Sequence, residues 1–253
     1  MLTLRRLNMD TSWSLDWAGT TVLIDPWLVG SEVDGFSWFN EQWHATPPVS
    51  PENLGNYDSI LISQCYSDHC HEDTLEALHQ VPVITVPSAV KRVAKALSGR
   101  PMKALPEVTS GEWLQQGELY IAYLDPGKMI DPIYNGIVFR HAQECVVYFP
   151  HGFYLKPAQL EMLKQLHVRV LITSFSRFQL PFFLGGAVNP GMDNALDLIR
   201  QLNPDKVVHT HDENKHAKGL VKKIAKVVYP DPNALVKSLA GKFVYQQYEP
   251  IHY

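Results

Sequence analysis

A chain of 253 residues with 45% hydrophobic and 19% charged side chains has the balance of a globular protein that can bury a sizeable core, which excludes a mainly disordered chain. The formal charge of -4 argues against a dedicated nucleic-acid binder, which needs a basic face, and no apolar run reaches the roughly 18 to 20 residues that span a bilayer. Cys65, Cys70 and Cys145 are odd in number and lack CxxC spacing, so neither a disulfide framework nor a cysteine zinc site is expected. The start Met1-Leu2-Thr3-Leu4-Arg5-Arg6 lacks the apolar core of a secretory signal, and the expected address is cytoplasmic, or an organelle stroma after import.

In chain order, the first elements read as an antiparallel meander. Residues 2–7, 13–17 and 21–24 alternate apolar and polar positions, with a turn at Ala18-Gly19. Asp25-Pro26-Trp27 ends the third strand, because proline has no amide to donate to a ladder. Residues 30–53, with Phe36, Trp38, Phe39, Trp43 and Pro47-Pro48, read as a long aromatic loop of the kind that walls or covers a site. A buried strand at 59–62, a polar loop, a helix from Glu72 towards Gln80, a strand at 83–86 and a helix at 88–97 complete a first half.

The second half repeats that order. Strands at 119–124, 136–140 and 145–149 precede a helix near 157–166, a strand at 168–173, a helix at 193–202 and a strand at 206–209. Two such halves packed sheet to sheet, with helices outside, predict an α/β (α+β) four-layer αββα sandwich. No linker or low-complexity tract interrupts the chain, so 1–253 is expected to be one domain. Lys215, Lys218, Lys222, Lys223 and Lys226 read as the solvated face of one helix.

Polar clusters follow several predicted strands: Asp25, Asp68-His69, His151, and His209-Thr210-His211. Strand ends on one edge of a sandwich can converge, and their carboxylate and imidazole groups suit zinc, manganese or iron. These residues resemble the metallo-β-lactamase-fold superfamily, whose hallmark is HxHxDH after a buried strand; here the slot reads Gln64-Cys65-Tyr66-Ser67-Asp68-His69. Val22-Leu23-Ile24-Asp25-Pro26-Trp27-Leu28 is similar to the "LIDPWL" stretch of the branch that includes ascorbate-lactone hydrolases, and Gly191 to Leu196 followed by Val207 to His211 is similar to that branch's helix and closing histidine.

The resemblance implies a first metal site that has lost its histidines at Gln64 and Tyr66, and no histidine stands near Asp125-Pro126-Gly127, where its third ligand would fall. It implies a second site that keeps Asp68, His69 and His211, with His151 where a bridging aspartate would stand. A neutral imidazole offers one lone pair to one ion and cannot bridge two. One divalent metal ion held by Asp68, His69, His151 and His211 is therefore expected, zinc before manganese or iron, or else a metal-free pocket of hydrogen-bonded histidines. The resemblance also implies that Asp25 supports the metal loop through hydrogen bonds.

His71, at the start of a helix, is expected to stay neutral and either to face the cleft as a proton carrier or a fourth ligand, or to cap the helix and pack against the sheet. Tyr66 either orients substrate or water, or fills the vacated volume. The apolar segment 178–187, bounded by Gly185-Gly186, reads as a cover for the pocket with Trp38, Phe39 and Trp43, or else as core packing or a contact in a homo-oligomer. His44, His79, His141, His167, His216 and His252 show no convergent partner. The expected function is metal-dependent hydrolysis of a small-molecule ester, lactone or phosphoester, with no nucleic-acid or membrane partner. A non-catalytic binding or regulatory descendant of the same fold is the alternative, and redox chemistry at one iron beside Cys65 and Cys70 a weaker third.

Overall fold

Why the chain folds as a sandwich is visible in the alternation along its strands. In Leu119–Leu124, Gly136–His141, Glu144–Phe149 and His167–Thr173, the side chains Ile121, Ile137, Phe139, Val146, Tyr148, Val170 and Ile172 join one buried cluster. Their neighbours Ala122, Leu124, Val138, Val147, Phe149 and Leu171 join another. Period-two alternation with both faces apolar means that the sheet is covered on both sides. The first cluster includes Leu2, Leu4, Trp13, Leu15, Leu23 and Ile60 of the opposing sheet. The second includes Leu163, Ala195, Leu198, Leu202 and Leu235, from the helices Pro157–Leu163, Met192–Leu202 and Pro232–Ser238.

The computed structural model describes residues 1–97, 99–126, 134–184 and 186–253. These form two seven-stranded sheets. The first runs, in spatial order, Ile251–His252, Leu2–Arg6, Trp13–Trp17, Thr20–Ile24, Ser59–Ile62, Val83–Thr85, Met102–Ala104. The second runs Phe243–Val244, Lys206–His209, His167–Thr173, Glu144–Phe149, Gly136–His141, Leu119–Leu124, Leu114–Gln116. Each begins as an antiparallel meander and continues with parallel strands: Ile24 pairs with Leu61 in the first sheet, and Thr173 pairs with both Phe149 and His209 in the second. Parallel register brings the carboxyl ends of these strands to one edge, and Asp25, His151 and His211 lie just beyond them.

The αββα sandwich expected from the sequence is the architecture found, with several boundaries moved. The stretch 30–53 contains the strands Glu32–Val33 and Glu41–Trp43, which pair with each other and, through the second, with His216–Lys218. The lysine-rich stretch is not one helix: Gly219 separates that strand from the short helix Leu220–Ile224, and the strand Lys226–Val228 follows. Segment 178–187 belongs to a hairpin of Arg177–Gln179 with Ala187–Pro190. Phe182, Phe183 and Trp38 are 95%, 81% and 67% exposed, so core packing does not explain them, and Gly185 lies outside the described residues.

Gly136 shows how closely the second sheet packs. A β-carbon there would fall 2.2 Å from Cε1 of Phe149 and 3.3 Å from Cδ1 of Leu124. Gly136→Ala is expected to destabilise the fold by about 1 to 3 kcal/mol through overpacking. Chemical denaturation checks this, and an unchanged midpoint would mean that the Phe149 ring can move aside at no cost.

Candidate metal centre

The loop Ser63 to His71 leaves the buried strand Ser59–Ile62 and is tied down by Asp25. The Asp25 carboxylate accepts from the Ser63 amide at 2.7 Å and from the Tyr148 hydroxyl at 2.9 Å, and its Oδ2 lies 2.7 Å from His69 Nδ1. Asp25 and His69 are completely buried. With a carboxylate as partner, His69 Nδ1 carries the proton and Nε2 presents its lone pair.

His151 is turned in the same way. Asn189, on the strand Ala187–Pro190, donates its amide towards the hydroxyls of Ser174 at 3.2 Å and Ser176 at 3.4 Å, so its carbonyl oxygen faces His151 Nδ1 at 2.8 Å. The two Nε2 atoms of His69 and His151 then stand 3.0 Å apart. Two lone pairs at that distance repel unless a proton or a metal ion lies between them. Nitrogens bound to one tetrahedral zinc at roughly 2.0 to 2.1 Å are about 3.3 Å apart, so the spacing suits an ion.

His211 completes the group. Its Nδ1 lies 3.0 Å from Asp10 Oδ1, and the other oxygen of Asp10 takes the Lys215 ammonium at 2.7 Å. His211 Nε2 is buried, lies 3.2 Å from Asp68 Oδ2 and has no directed hydrogen bond. Ligand atoms of His69, His151 and His211 all lie within 4.8 Å of one another, and Asp68 Oδ2 is also 3.8 Å from His69 Nε2. Three imidazoles with converging inner nitrogens, His69 and His151 held by hydrogen bonds at their outer nitrogens and His211 set between the carboxylates of Asp10 and Asp68, fit a metal ion.

Backbone strain falls on the same residues. Asp25 and His211 adopt left-handed conformations with φ of 44° and 54°, which non-glycine residues seldom take. The His211 amide donates to the Asp10 carbonyl at 2.9 Å, and Thr210 Oγ1 donates to the same carbonyl at 2.8 Å. These bonds fix the sharp exit from Lys206–His209 that turns the His211 ring inward.

Electrostatics follow from burial and neighbours. Burial, then His211 and His69, hold the His151 imidazole well below its ordinary value, so it is neutral. At His211 burial opposes the charged form, but Asp10 outweighs it and pushes the ring up to about 10. Burial also opposes ionisation of Asp68, yet His69 and His211 hold it well below the usual carboxylate range. Without metal, protons on imidazoles supply the positive charge that this carboxylate-rich edge requires.

Asp68, His69, His151 and His211, the expected ligands, are thus brought together. His71 is not with them. Its Nδ1 accepts from the Thr74 amide at 3.2 Å as the N-cap of the helix Glu72–Ala77, and its Nε2 lies 3.1 Å from the Ser31 carbonyl. Burial lowers its pKa, as expected for a neutral cap. Both ring nitrogens are engaged in fixing the loop, which corrects the proton-carrier reading. His71→Ala is expected to cost about 1 kcal/mol of stability and to leave metal content unchanged; elemental analysis showing metal loss would return His71 to the site.

Gln64 occupies its slot as a structural clamp: its amide donates to the Asn135 carbonyl at 3.0 Å and accepts from the Asn135 amide at 3.3 Å. Tyr66 is half-buried, and burial, with Cys65, Asp34 and Asp68 nearby, pushes its hydroxyl up to about 12. Asp125 is exposed and paired with Lys156, and Gly127 lies outside the described residues. Asp10, Asn189 and Lys215 were not anticipated. Lys215, expected on a solvated helix face, is instead buried against Asp10. One signal for Asp10 was present: the polar run Asn8-Met9-Asp10-Thr11-Ser12 interrupts two apolar strands and is almost wholly buried.

An αββα sandwich with three histidines and an aspartate converging at the carboxyl edge of its parallel strands is a metallo-β-lactamase-type fold with a candidate metal centre. The chain belongs to the family described as "Beta-lactamase superfamily domain", whose model matches residues 9–211. Among solved structures, it is similar to isothiocyanate hydrolase from Delia radicum gut bacteria, at 17% identity and a TM-score of 0.70 over 99% of this chain and 98% of that one. Igni18, a metallo hydrolase from Ignicoccus hospitalis, aligns at 16% identity and a TM-score of 0.64 over 99% of each chain. CmlA, a diiron β-hydroxylase from Streptomyces venezuelae, aligns at 14% identity and 0.67 over 100% of this chain and 54% of that one. At these identities the likeness is one of fold. No curated protein matches. Among the described residues no helix is long and apolar enough to cross a membrane.

Proposed function

We propose that this chain is a metal-dependent hydrolase of a small ester, lactone or phosphoester, using one divalent ion, zinc before manganese or iron, held by Asp68, His69, His151 and His211. The observation that carries the reading is the convergence of the His69, His151 and His211 rings, with His69 and His151 Nε2 3.0 Å apart and both outer nitrogens held by acceptors. Family membership supports it. An ion bound there supplies Lewis acidity and brings the pKa of a bound water towards about 7.

The chain's own residues do the rest. Asp25, Asn189 and Asp10 orient the three rings. Tyr66, kept protonated at neutral pH, is a hydrogen-bond donor suited to a substrate oxygen. In the reaction, the oxygen of water adds to the acyl or phosphoryl centre, the bond to the leaving oxygen breaks, and a proton from water ends on that leaving oxygen.

One feature favours a second reading. Asp68 with three histidines makes four protein ligands, enough to close a tetrahedral zinc, as in a structural ion of a non-catalytic descendant. A panel of aryl esters, lactones and phosphoesters separates the two. Turnover is expected, and Asp68→Ala should lower it on the order of a hundredfold or more. Turnover indifferent to Asp68→Ala would remove Asp68 from the mechanism, and a full metal complement with no turnover would favour the structural ion.

A further inference from the structure

Resting on the metal-site reading above, we propose that Arg6 and Trp13 are positioning residues that hold the His209-Thr210-His211 turn and so set where the His211 ring points. Leu2, Leu4 and Arg6 take the buried positions of their strand, and the two leucines join the core between the sheets together with Val208 of the opposing sheet. Arginine ends that apolar row, paired in register with Trp13. Its guanidinium lies over the Trp13 ring at 4.4 Å, and Nη2 donates to the His209 carbonyl. Trp13 Nε1 donates to Thr210 Oγ1 at 3.0 Å. These two contacts fall on consecutive residues, and the next residue is His211. Thr210 passes the tie on, because its hydroxyl donates at 2.8 Å to the same Asp10 carbonyl that accepts the His211 amide at 2.9 Å. The left-handed φ of 54° at His211 is thus held from across the sandwich.

Stability does not account for Arg6. The side chain is completely buried, and Nε and Nη1 have no hydrogen-bond partner among the described residues. The acids nearby are bonded elsewhere: Asp212 accepts from the Phe175 amide at 3.1 Å and the Ser176 amide at 2.8 Å, and Asp10 accepts from Lys215 at 2.7 Å. Burial pulls the Arg6 pKa down, but only to about 10, so the guanidinium stays charged at neutral pH. A buried charge with unmet donors costs stability, and an apolar side chain of similar volume in its place commonly leaves a fold as stable or more so. What arginine supplies there and methionine cannot is a donor for the His209 carbonyl.

Arg6→Met and Trp13→Phe in the full chain test this, with zinc as the probe. Trp13→Phe keeps an aromatic ring and loses the N–H. Chelator competition is expected to show zinc affinity reduced by about tenfold in each variant, while the urea midpoint of chelated Arg6→Met is no lower than that of the wild type. In the chelated proteins, hydrogen exchange at the Thr210 and His211 amides should be faster in each variant, with the Val138 and Leu171 amides, inside the second sheet, unchanged. Unchanged zinc affinity in either variant removes that residue from the role. Unchanged affinity in both, or a loss accompanied by faster exchange at all four amides, overturns the inference. If Arg6→Met does not fold, Trp13→Phe carries the affinity and exchange comparisons. If the wild type binds no zinc, the metal-site reading fails and exchange alone decides: a rise confined to Thr210 and His211 supports the positioning role, and no rise refutes it.

Discussion

Protein purified without added metal should carry about one equivalent of divalent ion, and His151→Ala combined with His211→Ala should abolish that content. Among the described residues, His151 and His211 provide two of the three imidazole nitrogens of the only all-histidine donor group. Their removal leaves His69 and Asp68, too few to hold an ion against a chelator. Because the ion binds the folded chain, its removal also destabilises. An ion present at about a thousand times its Kd contributes about 4 kcal/mol, and in a chain of this size that shifts Tm by about 10 °C. Chelation should therefore lower the wild-type Tm and leave the double variant unmoved. His252→Ala, on an exposed ring hydrogen-bonded to Thr3 at 2.9 Å, is the control that should change neither metal content nor Tm. Metal-free wild-type protein whose Tm ignores chelator would reduce the cluster to hydrogen-bonded histidines.

Much of this site was legible because strand ends are legible. Val22-Leu23-Ile24, Ile60-Leu61-Ile62 and Val146-Val147-Tyr148-Phe149 are short, mostly β-branched or aromatic apolar runs, which read as buried strands, and the polar loop that follows each belongs to the sheet edge. That placed Asp25, Asp68, His69 and His151 correctly in the fold. Residues acting from loops far away in sequence were not legible. Asp10 reaches His211 across 201 positions, and nothing local at Lys215 distinguishes it from Lys218, which pairs with Glu41 at 2.7 Å near the surface. Helical spacing alone grouped the two lysines, whereas tertiary pairing with the strand Glu41–Trp43 made this stretch β-structure and left Lys215 in the irregular stretch before it. His71 was ambiguous for a different reason: a histidine at a helix start can cap or react, and only the positions of Thr74 and Ser31 decide.

The second large effect is expected at Asp25, and it separates support of the metal from support of the fold. Asp25→Ala removes a buried acceptor from the Ser63 amide, the His69 ring and the Tyr148 hydroxyl at once. Stranding these donors where no water reaches should cost about 3 to 5 kcal/mol, read by urea denaturation of chelated protein so that metal binding does not contribute. Asp25→Asn is the more informative substitution. Asparagine tolerates the left-handed φ of 44°, so the backbone is not penalised. Its amide can present an oxygen to the Ser63 N–H, but the NH2 group then faces His69 Nδ1 in the position of Oδ2. A donor there favours the tautomer with the proton on Nε2, aimed into the cluster where a lone pair is needed. Metal affinity, measured by chelator competition, should therefore fall about 10- to 100-fold, with a smaller loss of stability than in the alanine variant. Asp25→Asn protein that is destabilised yet holds metal as tightly as the wild type would mean that Asp25 anchors the loop without setting the His69 tautomer.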